Sequence, residues 1–259
     1  MSGTVLLRVA DALASVTLSN PGKLNAMSRH MWQELRAAFE QIQGDGSARC
    51  VVVSGENGNL CAGGDISEYA GFRFEAASLR DFHENDVWPA LQAMLDCDVP
   101  IVAQIAGNCM GAGMEIASCC DIRLAAMSAR FGAPIARLGF PMAPREAALV
   151  AREAGLGVAR QMLLEAAIFS AIELKASGFL SQVLADAELA TVVHTRALRI
   201  ATLAPQAARM NKQTLRALLS QTDAETRSDP ANDASYAYAN SAEHREGIGA
   251  FLDKRKPNF

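Results

Sequence analysis

The 259-residue sequence is poor in aromatic residues, which make up only 6% of it. A core with so few rings must be filled by Ala, Leu, Val, Ile and the ten Met, which suits helix-rich α/β packing and tells against an aromatic-stapled β-sandwich. The chain also lacks a dominant charge. Its 24 Lys and Arg stand against 28 Asp and Glu, a net of −4 without blocks, so there is no basic stripe to track a phosphate polymer and nucleic acid is not an expected partner. Long apolar runs are missing too. The longest uncharged stretch, Val99 to Met114, is interrupted by Gly107, Asn108, Gly111 and Gly113 and is too short to span a bilayer, so no membrane association is expected. The opening residues alternate and carry Arg8 and Asp11 where a signal peptide would place a basic and then an apolar segment. The six cysteines (Cys50, Cys61, Cys97, Cys109, Cys119, Cys120) show no CxxC spacing, and the four histidines are scattered. No metal site is expected, and the thiols read as small buried hydrophobes in a cytoplasmic protein.

What is present is ample apolar substance, half of the residues, in a chain long enough to bury roughly 75% of its unfolded surface. Alternation through Val5 to Arg8 and Ala14 to Leu18 predicts a hairpin. Ser28 stands where a helix N-cap belongs, ahead of Met31, Leu35, Phe39 and Ile42 at helical spacing, and Gly44 and Gly46 end the pattern. Cys50 to Ser54 is a short apolar run closed by Gly55, as expected of a strand buried on both faces. A helical stretch from Ala76 to Leu95 and a second apolar strand, Ile101 to Ile105, then lead into another glycine-rich loop and helix. After a further strand at Asp121 to Leu124 the pattern reads as almost wholly helical: 145–154, 158–167, 172–177, 187–203, 205–220 and 232–251. A soft boundary near residue 200 divides a core, 1–200, from a C-terminal helical region, 201–259.

Strand, glycine loop, helix occurs twice, and these loops carry the candidate chemistry. In Cys61-Ala62-Gly63-Gly64-Asp65-Ile66 the small residues let a ligand approach the main chain, and Asp65 is placed to cap the helix that starts beyond it. Asn108-Cys109-Met110-Gly111-Ala112-Gly113-Met114-Glu115 is neither a P-loop, lacking Gly-Lys-Ser/Thr, nor a dinucleotide fingerprint, lacking the third glycine. Its amides open a helix and present free N–H groups. Glu115, on the first turn among apolar neighbours, reads either as a helix-dipole carboxylate or as a general acid/base beside an oxyanion site.

Taken together, the loops resemble those of the crotonase, or enoyl-CoA hydratase/isomerase, superfamily. Asn20-Pro21-Gly22-Lys23-Leu24-Asn25-Ala26-Met27-Ser28 is similar to that family's first CoA-contacting loop, and residues 61–66 to its first oxyanion loop. Residues 111–115 with Cys120-Asp121-Ile122-Arg123 are similar to the second oxyanion loop, its helix and the next strand. Phe131-Gly132 through Leu138-Gly139 and the ending Phe251 to Phe259 complete the order. The resemblance implies a spiral of ββα units with a C-terminal helical trimerisation region, hence a homotrimer or a dimer of trimers. It implies that the amides of Gly64 and Ala112 form an oxyanion hole, and that Lys23, Leu24, Ala26, Ala62, Asp65 and Ile66 lie along coenzyme A. CoA enters as part of the thioester substrate, with no tightly bound cofactor.

The chain departs from that pattern at one place. Hydratases of the family use two glutamates, one matching Glu115 and a second where this chain has Ile135. Glu146, about ten residues on, is the other candidate, with a first-turn dipole role as its alternative. Leu138-Gly139-Phe140-Pro141 and Arg152-Glu153-Ala154-Gly155 are also similar to the methylmalonyl-CoA decarboxylase branch, which has a single glutamate, at the Glu115 position, but a histidine and a tyrosine where Gly64 and Met142 stand. The expected activity is therefore stabilisation of a thioester enolate, foremost by a 2-enoyl-CoA hydratase. A decarboxylase, an isomerase, or a CoA-ester-binding protein with little turnover are the alternatives.

Overall fold

The computed structural model of the chain describes residues 3–220 and 242–259. Its opening hairpin joins β1 (Thr4–Ala10) to β2 (Leu13–Ser19), with Ala10 facing Leu13. The two-residue turn between them, Asp11 and Ala12, lies in the left-handed region at φ 49° and 63°, the backbone that matches the twist of paired strands. Helix α1 (Arg29–Asp45) starts as the sequence predicts. The Ser28 hydroxyl accepts from the Met31 N–H, and Gly46 closes the far end at φ 69°.

β2 continues into a parallel array of β3 (Cys50–Gly55), β4 (Ile101–Ile105), β6 (Ile122–Ala126) and β9 (Gln182–Leu184), giving a six-stranded sheet ordered β1-β2-β3-β4-β6-β9. The buried strands show why their sequences are continuously apolar. Val51, Val53, Ile101 and Ala103 face the main core with α1 and α3 (Trp88–Asp96), while Cys50, Val102 and Leu124 face a second cluster with α8 (Leu189–Ala201). All six cysteines are buried and free, and burial pushes the Cys50, Cys61 and Cys120 thiols up to about 12, so they are inert filler.

The expectation of an almost wholly helical second half needs correction. Helices α5 (Pro144–Ala154), α6 (Leu156–Leu164), α7 (Ala171–Ala176), α8 and α9 (Pro205–Ser220) form near the expected places. They are interleaved with β7 (Arg130–Gly132), β8 (Ile168–Ser170) and β9. A further strand, β5 (Asn108–Met110), separates β4 from α4 (Ala112–Ser118), and β5, β7 and β8 make a second, three-stranded sheet. Strands of three residues are too short to show a period. Residues 232–241 of the last expected helix lie outside the described residues, and helix α10 runs from Ala242 to Leu252. No helix among the described residues is long and apolar enough to cross a membrane.

Candidate active site

Because β3 and β4 are parallel neighbours, the loops that leave their C-terminal ends emerge side by side. Backbone bonds stitch them together. The Leu60 N–H donates to the Ala106 carbonyl, the Cys61 N–H to Asn108, and the Met110 N–H to Cys61, each at 2.9 Å. On its other side the first loop is held by residues 24–27, through Ala62 N to the Leu24 carbonyl (3.0 Å) and Met27 N to the Gly63 carbonyl (2.8 Å). Side chains lock the same layer. Asn25 Nδ2 donates to the carbonyls of Glu56 and Asn59, and the Asn59 amide oxygen accepts from the backbone and side chain of Asn108.

Two glycines are dictated by this closeness. Gly111, the N-cap of α4, sits at φ 47° and ψ −108°, a conformation that side chains resist. A Cβ on Gly113 would stand 2.7 Å from the Cys61 carbonyl oxygen. The outcome is a pair of unspent donors. The Gly64 N–H meets no acceptor among the described residues, since the Met27–Gly64 bridge uses the neighbouring amides. The Ala112 N–H opens α4, where no intrahelical acceptor exists. Gly64 and Ala112 line one pocket of about 370 Å³ together with Glu115.

Glu115 lies half-buried in that pocket. Burial, reinforced by the nearby Glu146 charge and opposed by Arg73, raises its carboxyl to about 8, so at neutral pH it holds its proton. Ile135 also lines the pocket, an apolar side chain at the position where the family resemblance places a second carboxylate. Glu146 is on the first turn of α5, 2% exposed, and does not itself line the cavity. Its Oε1 lies 3.0 Å from His83 Nδ1, and His83 does line it. His83 belongs to a π-helical turn, Phe82–Val87, between α2 (Ala76–Asp81) and α3, the kind of local irregularity that often marks function. A second contact fixes α5 on this turn: Arg145 donates to Glu84 at 2.7 Å.

Sequence reasoning missed His83, whose partner is 63 positions away, and it missed Tyr69 and Arg73, which also line the pocket. Tyr69 packs so closely on Gly64 that a Cβ there would clash with its hydroxyl. Of the six residues expected along coenzyme A, Leu24, Ala62 and Ile66 line the pocket. The other three stand just outside it. Ala26 is buried, and Asp65 caps the 3₁₀ turn Ile66–Gly71 through Ser67 N while accepting from Lys23 Nζ at 2.6 Å. Burial alone would raise the Asp65 carboxyl, but the Lys23 and Ser67 hydrogen bonds hold it below the usual range. Lys23 remains half exposed at the rim. Farther off, Arg255, in the basic stretch Lys254-Arg255-Lys256 near the end of the sequence, is engaged by Glu246 at 2.6 and 2.9 Å.

Comparison with known proteins places the chain in a family. Residues 8–259 match the family model described as enoyl-CoA hydratase/isomerase. A crotonyl-CoA hydratase of Syntrophomonas wolfei is 29% identical over 258 residues, covering 98% of this chain and 97% of the relative. A probable enoyl-CoA hydratase of Mycobacterium tuberculosis is 28% identical over 256 residues, covering 99% and 97%. Among solved structures, an enoyl-CoA hydratase/carnithine racemase from Magnetospirillum magneticum superposes with a TM-score of 0.91 at 35% identity, covering 99% of this chain and 95% of its own.

Proposed function

The chain belongs to the enoyl-CoA hydratase/isomerase family, and from that premise we propose that it is a lyase that hydrates a 2-enoyl-CoA thioester. The observation that carries this reading is the pair of unspent amides, Gly64 and Ala112, lining one pocket with Glu115. A thioester oxygen accepting from both amides is stabilised most when it carries enolate charge, which is when the bond to water forms at the β-carbon.

Hydration needs two proton transfers, and Ile135 cannot make either. In our reading Glu115, already protonated, delivers its proton to the α-carbon, while His83 takes one from the attacking water. Glu146 is the positioning residue. With the His83 Nδ1–H donating to its carboxylate, Nε2 keeps a lone pair for the water. After the addition Glu115 is ionised and His83 is cationic, and return of one proton from His83 to Glu115 restores the site. Leu24, Ala62 and Ile66 support a CoA track, with Lys23 and Asp65 bracing its rim.

The assembly proposed is a homotrimer or dimer of trimers built through residues 201–259. Arg209, Lys212 and Arg216 of α9 bind that helix to core carbonyls, leaving Leu203, Leu215 and Leu218 more than half exposed and in need of cover. A cytoplasmic setting suits the six free thiols. The test is the loss of conjugated-thioester absorbance from crotonyl-CoA, with product identified as 3-hydroxybutyryl-CoA. Turnover is expected. Turnover of 3-enoyl-CoA or methylmalonyl-CoA but not crotonyl-CoA would replace hydration by isomerisation or decarboxylation.

A further inference from the structure

The pocket holds a cation with no anion to answer it. Arg73 lines the cavity just beyond the 3₁₀ turn, anchored by its backbone N–H to the Tyr69 carbonyl at 2.8 Å. Its guanidinium carbon lies 3.8 Å from the centre of the Phe140 ring and 4.5 Å from that of Tyr69. The two rings stand 72° apart, so the guanidinium can lie flat on only one of them, and neither ring supplies an oxygen acceptor for its N–H groups. Among the described residues, the Arg73 side chain makes no hydrogen bond and no ion pair. This sets it apart from Arg29, held by Asp81 and Asp86, from Arg123, held by Glu153, and from Arg145, held by Glu84. Desolvation lowers the pKa of Arg73, yet a guanidinium remains charged at any ordinary pH. A partly buried cation without an acceptor is a cost to the fold, and one that a ligand can relieve.

We propose that Arg73 receives a carboxylate at the far end of the acyl chain, so that the substrate is an enoyl-CoA derived from a dicarboxylic acid. This rests on the acyl-CoA reading above and names its substrate class. The location favours the acyl tail over the phosphates of coenzyme A. Arg73 and Glu115 lie close enough for each charge to act on the other, which puts the guanidinium at the reacting end of the pocket, whereas the whole pantetheine arm separates a thioester from its phosphates. The two groups are not bonded, and Glu115 is neutral near pH 7, so the fork stays open for a bidentate partner. Phe82, Val87, Ile135 and Met142 line the same cavity, apolar side chains suited to the methylenes between the two functional ends.

Saturated thioesters test this without any turnover. Dissociation constants would be measured calorimetrically for succinyl-, glutaryl- and adipoyl-CoA against length-matched butyryl-, pentanoyl- and hexanoyl-CoA, with free CoA as a further probe. The readout is the ratio within each matched pair. Wild-type protein should favour the acidic member of at least one pair by 10-fold or more. Arg73→Met should bring that ratio near one, and Arg73→Lys, which keeps the charge but not the fork, should fall between. Circular dichroism checks that each variant is folded, and the wild-type ratio stands as a test even if one is not. A wild-type ratio near one, or a preference that survives in Arg73→Met, would overturn the proposal. So would an equal loss for every thioester and for free CoA, which would assign Arg73 to the CoA phosphates. Failure of all six thioesters to bind would instead strike the acyl-CoA reading itself, and this inference with it.

Discussion

Replacing Glu115 with glutamine should inactivate the protein and stabilise it, with a pH dependence that identifies the cause. The carboxyl titrates near 8 in the folded chain, against an ordinary 4.5. Below pH 4.5 both folded and unfolded chains carry the proton, and nothing is lost. Between 4.5 and 8 the unfolded chain releases the proton while the folded chain keeps it, so stability falls as pH rises. Above 8 the folded chain releases it as well, and the penalty levels off. At 1.36 kcal/mol for each unit, the ceiling is about 5 kcal/mol. Glu115 retains some exposure through the pocket, and water entering there reduces this to on the order of 1–3 kcal/mol. Glu115→Gln keeps the shape and cannot ionise. Its melting temperature, at fixed protein concentration, should match the wild type near pH 4.5 and exceed it by about 2–10 °C at pH 9. Turnover of crotonyl-CoA should fall at least ~10²-fold. An ionised helix-dipole carboxylate would behave oppositely, losing roughly 0.3–1 kcal/mol on substitution with the rate intact. That outcome, or a stability difference that does not grow between pH 5 and 9, would refute the assignment.

Further consequences concern the second proton carrier, the assembly and the first turn. His83→Gln should lower kcat by ~10²-fold, and Glu146→Gln by about 10-fold with an altered pH–rate profile, while the double variant should be scarcely worse than His83→Gln alone; additive losses would separate the two residues. Hydration by the wild type should decline as pH rises through about 8, where Glu115 loses the proton it donates; a rate still climbing beyond pH 9 would count against it. Light scattering should return a trimer or hexamer, and a monomer would leave Leu203, Leu215 and Leu218 without their proposed cover. Ala12→Gly, at φ 63° in the hairpin turn, should raise stability by about 0.5–1 kcal/mol as measured by urea unfolding; a loss would show that the turn is not strained.

What could be read in the sequence is what local chemistry decides. The hairpin, the Ser28 cap, the two buried strands and the Asp65 cap are each specified within a few residues, and the structure has all of them. Within the two glycine loops, Gly64 and Ala112 are singled out by the family resemblance alone, while the loops themselves and Glu115 were also legible, as small residues after apolar strands and a carboxylate on the first turn of a helix. The His83–Glu146 pair was not. It joins a π-helical turn to the start of α5 across a tertiary gap, and nothing near either residue announces the other. Arg73 was hidden for a similar reason. Its isolation from anions comes from how Tyr69 and Phe140 meet around it, which is a property of packing. The four three-residue strands were missed because tertiary pairing, not local pattern, creates them.

The central claim, that the Gly64 and Ala112 amides stabilise a thioester enolate, is tested most directly by titrating the protein with acetoacetyl-CoA. This ligand ionises readily to an enolate with its own absorbance, so the measurement does not depend on which reaction the enzyme completes. The account predicts tighter binding than for butyryl-CoA, growth of the enolate band on the protein, and no heat from free acetoacetate. No binding at millimolar ligand, or binding as the neutral keto form with no advantage over butyryl-CoA, would contradict it.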